Sequence, residues 1–322
     1  MTNEQIMVSI CCITYNHEKY IEKTLKGFLM QEIDFKYEIL IHDDASTDRT
    51  QEIIKKYQRK YPEIIKPIYQ KENQYSQGKR VSNIIYSKAR GKYIALCEGD
   101  DFWIDCHKLQ KQFDYMEEYP KTSMCTHQVL TLDEKSNKIK GSISPSKQSR
   151  KLTAAEIIEG GGGFLGTNSL FIKSEIIKKL PPFCNECVVG DYPLQIMAAL
   201  NGEVYYMNEP MSIYRRNVPG SWTVINTKAD KSKKIFRMNN LIDMLNKFDE
   251  YSKNEYSNSI QKMIKKIIFE RLIEEGKIET LKSKEYYEIY KKLNLLQKIK
   301  IYLKCDLPRL FGLLKKIKQM VE

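Results

Sequence analysis

Over the first hundred residues the apolar positions switch repeatedly between two patterns. Val8 to Ile13 is an apolar run, as a strand buried on both faces requires. From His17 to Gln31 the apolar residues Ile21, Leu25, Phe28 and Leu29 recur at helical spacing. Tyr37 to Ile41 predicts a second buried strand. Ser46-Thr47-Asp48 predicts the start of a helix carrying Ile53, Ile54 and Tyr57, with Ser46 as its N-cap. Ile64 to Tyr69, Val81 to Ala89 and Tyr93 to Cys97 continue as strand, helix and strand. Strands and helices in this alternation predict an α/β fold, a mostly parallel sheet flanked by helices. Ligands of such sheets gather beyond the carboxyl ends of the strands, so polar residues there carry extra weight.

The pattern continues with a helix from Leu109 to Tyr119, ended by Pro120, and an exposed Ser- and Lys-rich loop from Glu134 to Lys151. A glycine cluster at Gly160 to Gly163 precedes a strand from Ser169 to Lys173. Pro193 to Leu200 reads as helix and Val204 to Met207 as strand. Beyond Asn226 glycine and proline nearly vanish and helical periodicity runs almost to the end. The expected division is an α/β domain over residues 1–225 and a basic helical extension over 226–322.

Composition narrows the class. With 42% hydrophobic and 29% charged residues among 322, the chain buries a core, which excludes a disordered or fibrous protein. The net charge of +12 points to an anionic partner. Residues 226–322 hold 23 Lys and Arg against 13 Asp and Glu, so the charge belongs to the extension. No apolar run approaches the roughly 18 residues of a membrane span, and the first residues lack signal-peptide character. A cytoplasmic protein is expected. Of eight cysteines, Cys11, Cys12 and Cys97 sit in apolar runs as small hydrophobes. Cys184 and Cys187 form a C-x-x-C without the second pair a structural zinc site needs.

The chemistry concentrates where strands end. The first strand ends in Thr14-Tyr15-Asn16, the second in His42-Asp43-Asp44-Ala45-Ser46-Thr47-Asp48, and the fourth in Glu98-Gly99-Asp100-Asp101. Adjacent carboxylates repel unless a cation or hydrogen-bond donors compensate. Mg²⁺ or Mn²⁺, sharing its shell with substrate phosphates, would do so. The competing readings are a helix cap for Asp43 to Asp48 and a solvated turn for Asp100 and Asp101.

Val8 to Asn16, Asp43 to Asp48 and Gly91 to Asp101 together resemble the motifs of a family-2 glycosyltransferase of GT-A fold, in order and spacing, over about residues 6–225. The resemblance implies transfer of a sugar from a nucleotide-sugar donor, a UDP-sugar in this reading, with inversion, to a hydroxyl of a glycan, lipid-linked or protein acceptor in cell-surface polysaccharide or glycoconjugate synthesis. It places Tyr15 near the base, between Thr14 and Asn16, with Asp44 accepting a hydrogen bond from the base. It places Asp100 at the ribose and Asp101 at the metal, and leaves the part of Glu98 open. An inverting transfer needs a general base. The family pattern puts it at a helix start about a hundred residues on, here Asp191 in Val189-Gly190-Asp191-Tyr192-Pro193, with Glu186 second and a helix cap as the structural alternative. Arg215 and Arg216 are candidates to offset the pyrophosphate, and Lys79 and Arg80 to contact the donor. His17 and His42 are expected to line the donor site, and His107 and His127 to pack.

Gly161, Gly163 and Gly166 satisfy G-x-G-x-x-G, but helix precedes and strand follows, the reverse of a dinucleotide fingerprint. A flexible wall of the acceptor pocket is the better reading. A nucleotidyltransferase of related fold would carry a Gly-rich basic loop where Thr14-Tyr15-Asn16-His17 stands. A nucleic-acid-binding protein would set Asp43, Asp44, Asp100 and Asp101 against a polyanion, so nucleic acid is not an expected partner. Residues 291–322 carry nine Lys or Arg against two acids, interleaved with Leu295, Leu296, Ile299, Tyr302, Leu303, Leu307, Leu310, Phe311, Leu313, Leu314 and Ile317, with Pro308 breaking the stretch. They are expected to lie on the anionic inner face of a membrane; packing on the catalytic domain or in a homo-oligomer is the alternative.

Overall fold

In the computed structural model, which describes residues 5–307, 309–312 and 314, the first apolar run is strand β1 (Val8–Thr14). Nearly every side chain along it is buried, which is why the run shows no alternation. It pairs in parallel with β2 (Tyr37–Asp43), β2 pairs in parallel with β3 (Ile65–Tyr69), and on its other side β1 pairs in parallel with β4 (Tyr93–Leu96). Helices α1 (Ile21–Leu29), α2 (Thr50–Lys60) and α3 (Val81–Tyr86) make the crossovers. Ile21, Leu25, Phe28 and Ile54 bury their helical stripe against Ile10, Ile39 and Ile41 in one core.

Next come β5 (Phe102–Trp103), α4 (Lys108–Glu118), β6 (Thr122–Asp133), β7 (Lys138–Ile143) and β8 (Arg150–Leu152). They are followed by α5 (Ala154–Gly160), β9 (Phe171–Lys173), α6 (Ser174–Lys178), α7 (Pro182–Glu186), α8 (Asp191–Leu200) and β10 (Glu203–Arg216). The sheet order is β3-β2-β1-β4-β9-β6-β10-β5, with β7 beside β6 and β8 beside β10.

The sheet is mixed, and three expectations are corrected. β9 runs antiparallel to both β4 and β6. This reversal delivers the residues just before β9 to the carboxyl edge of β4. β10, parallel to β6, brings its own C-terminal end to the same edge. The region expected as an exposed loop holds two strands: β7 folds back on β6 with almost all its side chains in solvent, so its polar composition imitated a loop. Helix α2 starts at Thr50 rather than at Ser46. Asp48 Oδ1 accepts from the Thr50 backbone N–H at 2.9 Å, while Ser46 Oγ accepts from the N–H of Asn16 at 2.9 Å. The strand expected over Val204 to Met207 continues to Arg216 through register shifts around Pro210.

The described chain divides into two compact units between Val224 and Ile225, within helix α9 (Trp222–Lys228). The second unit contains α10 (Lys231–Tyr251), α11 (Ser257–Glu275), α12 (Ile278–Leu281), α13 (Tyr287–Lys291) and α14 (Leu295–Asp306). Phe269, Leu272, Leu281, Tyr286 and Ile301 form a core of its own. Among the described residues no helix is long and apolar enough to cross a membrane.

Candidate active site

The carboxyl edge of β1 and β2 is built by loops that clip one another. Asn16 takes the left-handed conformation (φ 55°), which a short polar side chain tolerates. There its side-chain oxygen accepts from the Thr47 N–H at 2.8 Å. Asp43 Oδ1 accepts from Ser46 N–H at 3.0 Å and from Gln51 Nε2 at 2.6 Å. The two oxygens of Asp44 accept from the backbone N–H groups of Gln74 (2.8 Å) and Tyr75 (3.0 Å). Asp44 therefore anchors a distant turn and still keeps a second lone pair on each oxygen. Tyr15 is exposed, and the buried Thr14 Oγ1 has no hydrogen-bond partner among the described residues. His42 is fully buried beside Gln70, with nitrogens 3.0 Å apart. Burial lowers the pKa of His17 and of His42, so both rings favour the neutral form.

The next strand end is held from three sides. The Thr24 hydroxyl of α1 lies 2.6 Å from the Asp101 carbonyl and 3.0 Å from that of Gly99. Gly99 must be glycine: a Cβ there would stand 2.5 Å from Thr14 Oγ1 and 2.9 Å from His17 Nδ1. Asp101 is buried; its Oδ1 accepts from the Arg215 backbone N–H at 2.8 Å and its Oδ2 from Asn168 Nδ2 at 3.1 Å. Arg215 itself is turned inward. Its guanidinium donates to the Asp100 carbonyl, lies 4.5 Å from the Phe102 ring centre and 5.0 Å from that of Tyr20, and faces Glu134 at 3.7 Å. Arg216 points to solvent.

Burial first, then the charges of Asp100 and Glu98, raise the Asp101 pKa well above the carboxylate range. The Glu98 side chain reaches solvent, yet the protein atoms crowding its carboxyl, then Asp100 and Asp191, raise its pKa to about 8. Two carboxyls pushed toward protonation first by burial and then by neighbouring negative charge form an oxygen-only donor set that a hard divalent cation satisfies. The three carboxylates of this segment do not close into a cage of their own among the described residues. That suits an ion that takes one or two carboxylates and draws its other ligands from phosphates and water. The residues present fit Mg²⁺ or Mn²⁺.

Asp191 opens α8, where its Oδ2 accepts from the Thr167 hydroxyl at 2.7 Å. Burial raises its pKa, and the Thr167 bond works against that rise. Thr167 and Asn168 are neighbours on one short turn, Thr167–Ser169, directly before β9. One residue of that turn holds Asp191 and the next holds Asp101, so two carboxylates ninety residues apart share a support. Trp103 Nε1 donates to the Asn168 carbonyl at 3.0 Å and fixes the turn from below. Sequence reasoning missed Thr167 and Asn168; the preceding glycine cluster, with Gly161 at φ 71°, was the available signal. Arg80 donates to the carbonyls of Cys184 (2.7 Å) and Val189 (3.0 Å), tying the start of α3 to the segment that leads into Asp191. Lys79 donates to Gln74 Oε1 at 2.8 Å. Glu186 is exposed at the end of α7. Cys184 and Cys187 are free and buried.

Comparison with known proteins bears on this site. Residues 9–178 match the family described as Glycosyl transferase family 2. An uncharacterised protein of Mycobacterium tuberculosis is 36% identical over 218 residues, which are 67% of this chain and 60% of that protein. The chain thus spans less than two thirds of that relative's length. The Escherichia coli UDP-Glc:alpha-D-GlcNAc-diphosphoundecaprenol beta-1,3-glucosyltransferase WfaP is 35% identical over 112 residues, 34% of this chain and 41% of that enzyme. Among solved structures, S. aureus TarS 1-349 in complex with UDP-GlcNAc aligns with a TM-score of 0.62 at 15% identity, over 93% of this chain and 79% of that one. The mannosyltransferase PcManGT from Pyrobaculum calidifontis, in complex with GDP-Man and Mn2+, aligns with a TM-score of 0.52 at 14% identity, over 89% of this chain and 83% of that one. At these identities the structural likeness speaks for the fold alone, the GT-A arrangement. The family match runs from the buried β1 through the paired carboxylates to α6, more than half of the sequence, and on that ground the chain belongs to glycosyltransferase family 2.

Proposed function

We propose that this chain is an inverting, divalent-metal-dependent glycosyltransferase that moves a hexosyl or N-acetylhexosaminyl group from a UDP-sugar to a hydroxyl of a glycan, lipid-linked or protein acceptor in cell-surface polysaccharide or glycoconjugate synthesis. The observation that carries this reading is the single turn that supports both Asp101 and Asp191. Tyr15 and Asp44 receive the base, Thr14 and Asn16 shape the floor beneath it, and Asp100 takes the ribose. Asp101 would hold Mn²⁺ or Mg²⁺, which when bound offsets the charge of the pyrophosphate oxygens. Asp191, ionised, takes the proton from the acceptor hydroxyl as that oxygen attacks the anomeric carbon. Because the Arg215 guanidinium is turned inward, we assign the leaving-group contact to Arg216, with Lys79 at the rim. Arg80 acts by positioning the segment before Asp191.

TarS bound to UDP-GlcNAc and the UDP-Glc-dependent WfaP support a UDP-sugar. The diphosphoundecaprenol in the name of WfaP supports a lipid-linked acceptor. Release of UDP or GDP from a panel of nucleotide sugars, with Mn²⁺ or with chelator, tests the reading. Turnover confined to UDP-sugars with metal is expected; GDP release alone, or full turnover in chelator, overturns it.

Asn168 is a positioning residue here. Asn168→Ala removes one of two bonds that orient Asp101, and a net hydrogen bond to a charged group contributes about 1.5 kcal/mol or more. Mn²⁺-dependent UDP affinity should therefore fall about tenfold, read by calorimetry, while the pH profile assigned to Asp191 keeps its position.

The extension supports a peripheral, cytoplasmic-face location. Leu295 and Leu296 of α14 are 72% and 78% exposed, and Ile299 and Tyr302 are also exposed, among Lys291, Lys292, Lys298 and Lys300. Each basic residue near anionic lipid contributes roughly 1 kcal/mol. Pro308, Leu313 and Ile317 lie outside the described residues. Since Ile301 belongs to the core of its unit, point substitution is the cleaner probe than truncation. A Leu295→Glu, Leu296→Glu double variant should lose flotation with anionic vesicles and keep UDP release. Unchanged flotation overturns the membrane reading, and a loss of dimer instead would assign the face to a second copy of the chain.

A further inference from the structure

His107 was expected only to pack. It is instead exposed, and it stands beside Cys106 and Glu32, outside the set of residues assigned to the donor and the acceptor. Glu32 follows α1, and Cys106 and His107 lie between β5 and α4. The two segments are already fastened by their backbones. The Glu32 N–H donates to the Cys106 carbonyl at 2.8 Å. The Gln31 carboxamide donates to the Asp105 carbonyl at 2.9 Å and accepts from the Leu109 N–H at 3.0 Å. On this frame a sulfur, a ring nitrogen and a carboxylate oxygen lie within 4.8 Å of one another, the one such cluster of three among the described residues.

We propose that Glu32, Cys106 and His107 form a Zn²⁺ site with a fourth position open to water or to a ligand from another molecule. Ligand atoms about 2.0–2.3 Å from a tetrahedral zinc stand about 3.3–3.8 Å from one another. His107 Nε2 and Glu32 Oε2 are 3.8 Å apart. That spacing is too long for a hydrogen bond between them and a few tenths of an ångström beyond the roughly 3.3–3.5 Å that a nitrogen and an oxygen ligand of one tetrahedral zinc keep. Glu32 and His107 are exposed and Cys106 is half-buried, so the three side chains are open to an ion from solvent. Thiolate and imidazole favour zinc over Mg²⁺ or Mn²⁺, whereas the oxygen-only set around Asp101 favours the hard ions. The backbone that carries His107 is braced, because Asp105 Oδ1 accepts from the His107 backbone N–H at 2.8 Å and its Oδ2 is held by Lys111 at 2.8 Å. On binding, the Cys106 thiol gives up its proton to solvent and the thiolate bonds to the ion. The ion then staples the end of α1 to the segment that joins Asp101 to α4.

The test uses the reduced full-length chain and metal alone, without nucleotide. Co²⁺, a spectroscopic stand-in for Zn²⁺, should develop a thiolate-to-cobalt charge-transfer band that saturates at one equivalent and is bleached by Zn²⁺. The band should be lost in Cys106→Ser and in His107→Gln. It should survive in Asp101→Asn and in Cys305→Ser, which alters the other cysteine that is not buried. Cys106→Ser should keep its Mn²⁺-dependent UDP release, and its circular dichroism should match the parent. Absence of the band, its survival in Cys106→Ser, or its loss in Cys184→Ser overturns the assignment.

Discussion

Asp101→Asn should abolish Mn²⁺-dependent UDP binding and lower turnover by more than about 100-fold. Removing a group that merely orients a metal ligand costs about 10–100-fold, so removing the ligand's charge should cost more. The same substitution should leave the metal-free protein at least as stable as the parent at neutral pH. Burial and the neighbouring Asp100 and Glu98 raise the Asp101 pKa in the folded state. A carboxyl whose folded pKa lies above its unfolded one stabilises the fold while protonated. That contribution is lost as pH rises from the ordinary carboxylate range through the raised value. An amide imitates the protonated form. A flip of the Asn168 amide would let its buried Oδ1, which has no partner among the described residues, accept from the new NH₂, in exchange for the Nδ2 bond to the Ile213 carbonyl at 3.0 Å. Thermal unfolding without metal, set beside calorimetry with Mn²⁺ and UDP, separates the two effects. An unchanged Mn²⁺-dependent affinity for UDP would remove Asp101 from the metal site.

Asp191→Asn should lower kcat by about 10²–10⁴-fold, the usual contribution of a positioned general base, with the donor KM nearly unchanged. In the parent chain, burial raises the Asp191 pKa, so if Asp191 is the proposed base the acid limb of kcat/KM should lie above the ordinary carboxylate range. The base works ionised, and activity is therefore lost as pH falls through that value. Thr167→Val removes a bond that favours the ionised form and should move the limb further up. A limb that stays in place in Thr167→Val, or near-normal turnover in Asp191→Asn, would transfer the role to another residue, Glu186 first.

Much of the first half of the fold was legible along the chain because its elements are buried in simple ways. β1, β2 and β4 lie between layers of helices, so their runs are apolar throughout, and α1 and α2 show one apolar stripe each. Parallel strands joined by right-handed crossovers put all their carboxyl ends on one edge. Thr14, Asp43, Asp44, Asp100 and Asp101 could thus be grouped without coordinates. The second half was harder to read. β7 is almost wholly solvated, and its Lys- and Ser-rich composition has no inward face to betray a strand. β9 is three residues long, too short for a period to show its direction.

What the sequence by itself determined, then, is the order of strands and helices and the kind of side chain at each strand end, since both follow from local periodicity and the handedness of connections. The tertiary structure alone decided which of those polar groups meet. The reversal of β9 sets Thr167 against Asp191 and Asn168 against Asp101. β10 brings the Arg215 N–H to Asp101 and buries its guanidinium over Phe102. Arg80 reaches two carbonyls more than a hundred residues away. Each of these is a single hydrogen bond or ring contact between distant segments. Such a contact leaves no mark on periodicity, and it exists only because packing has already brought the two backbones within reach.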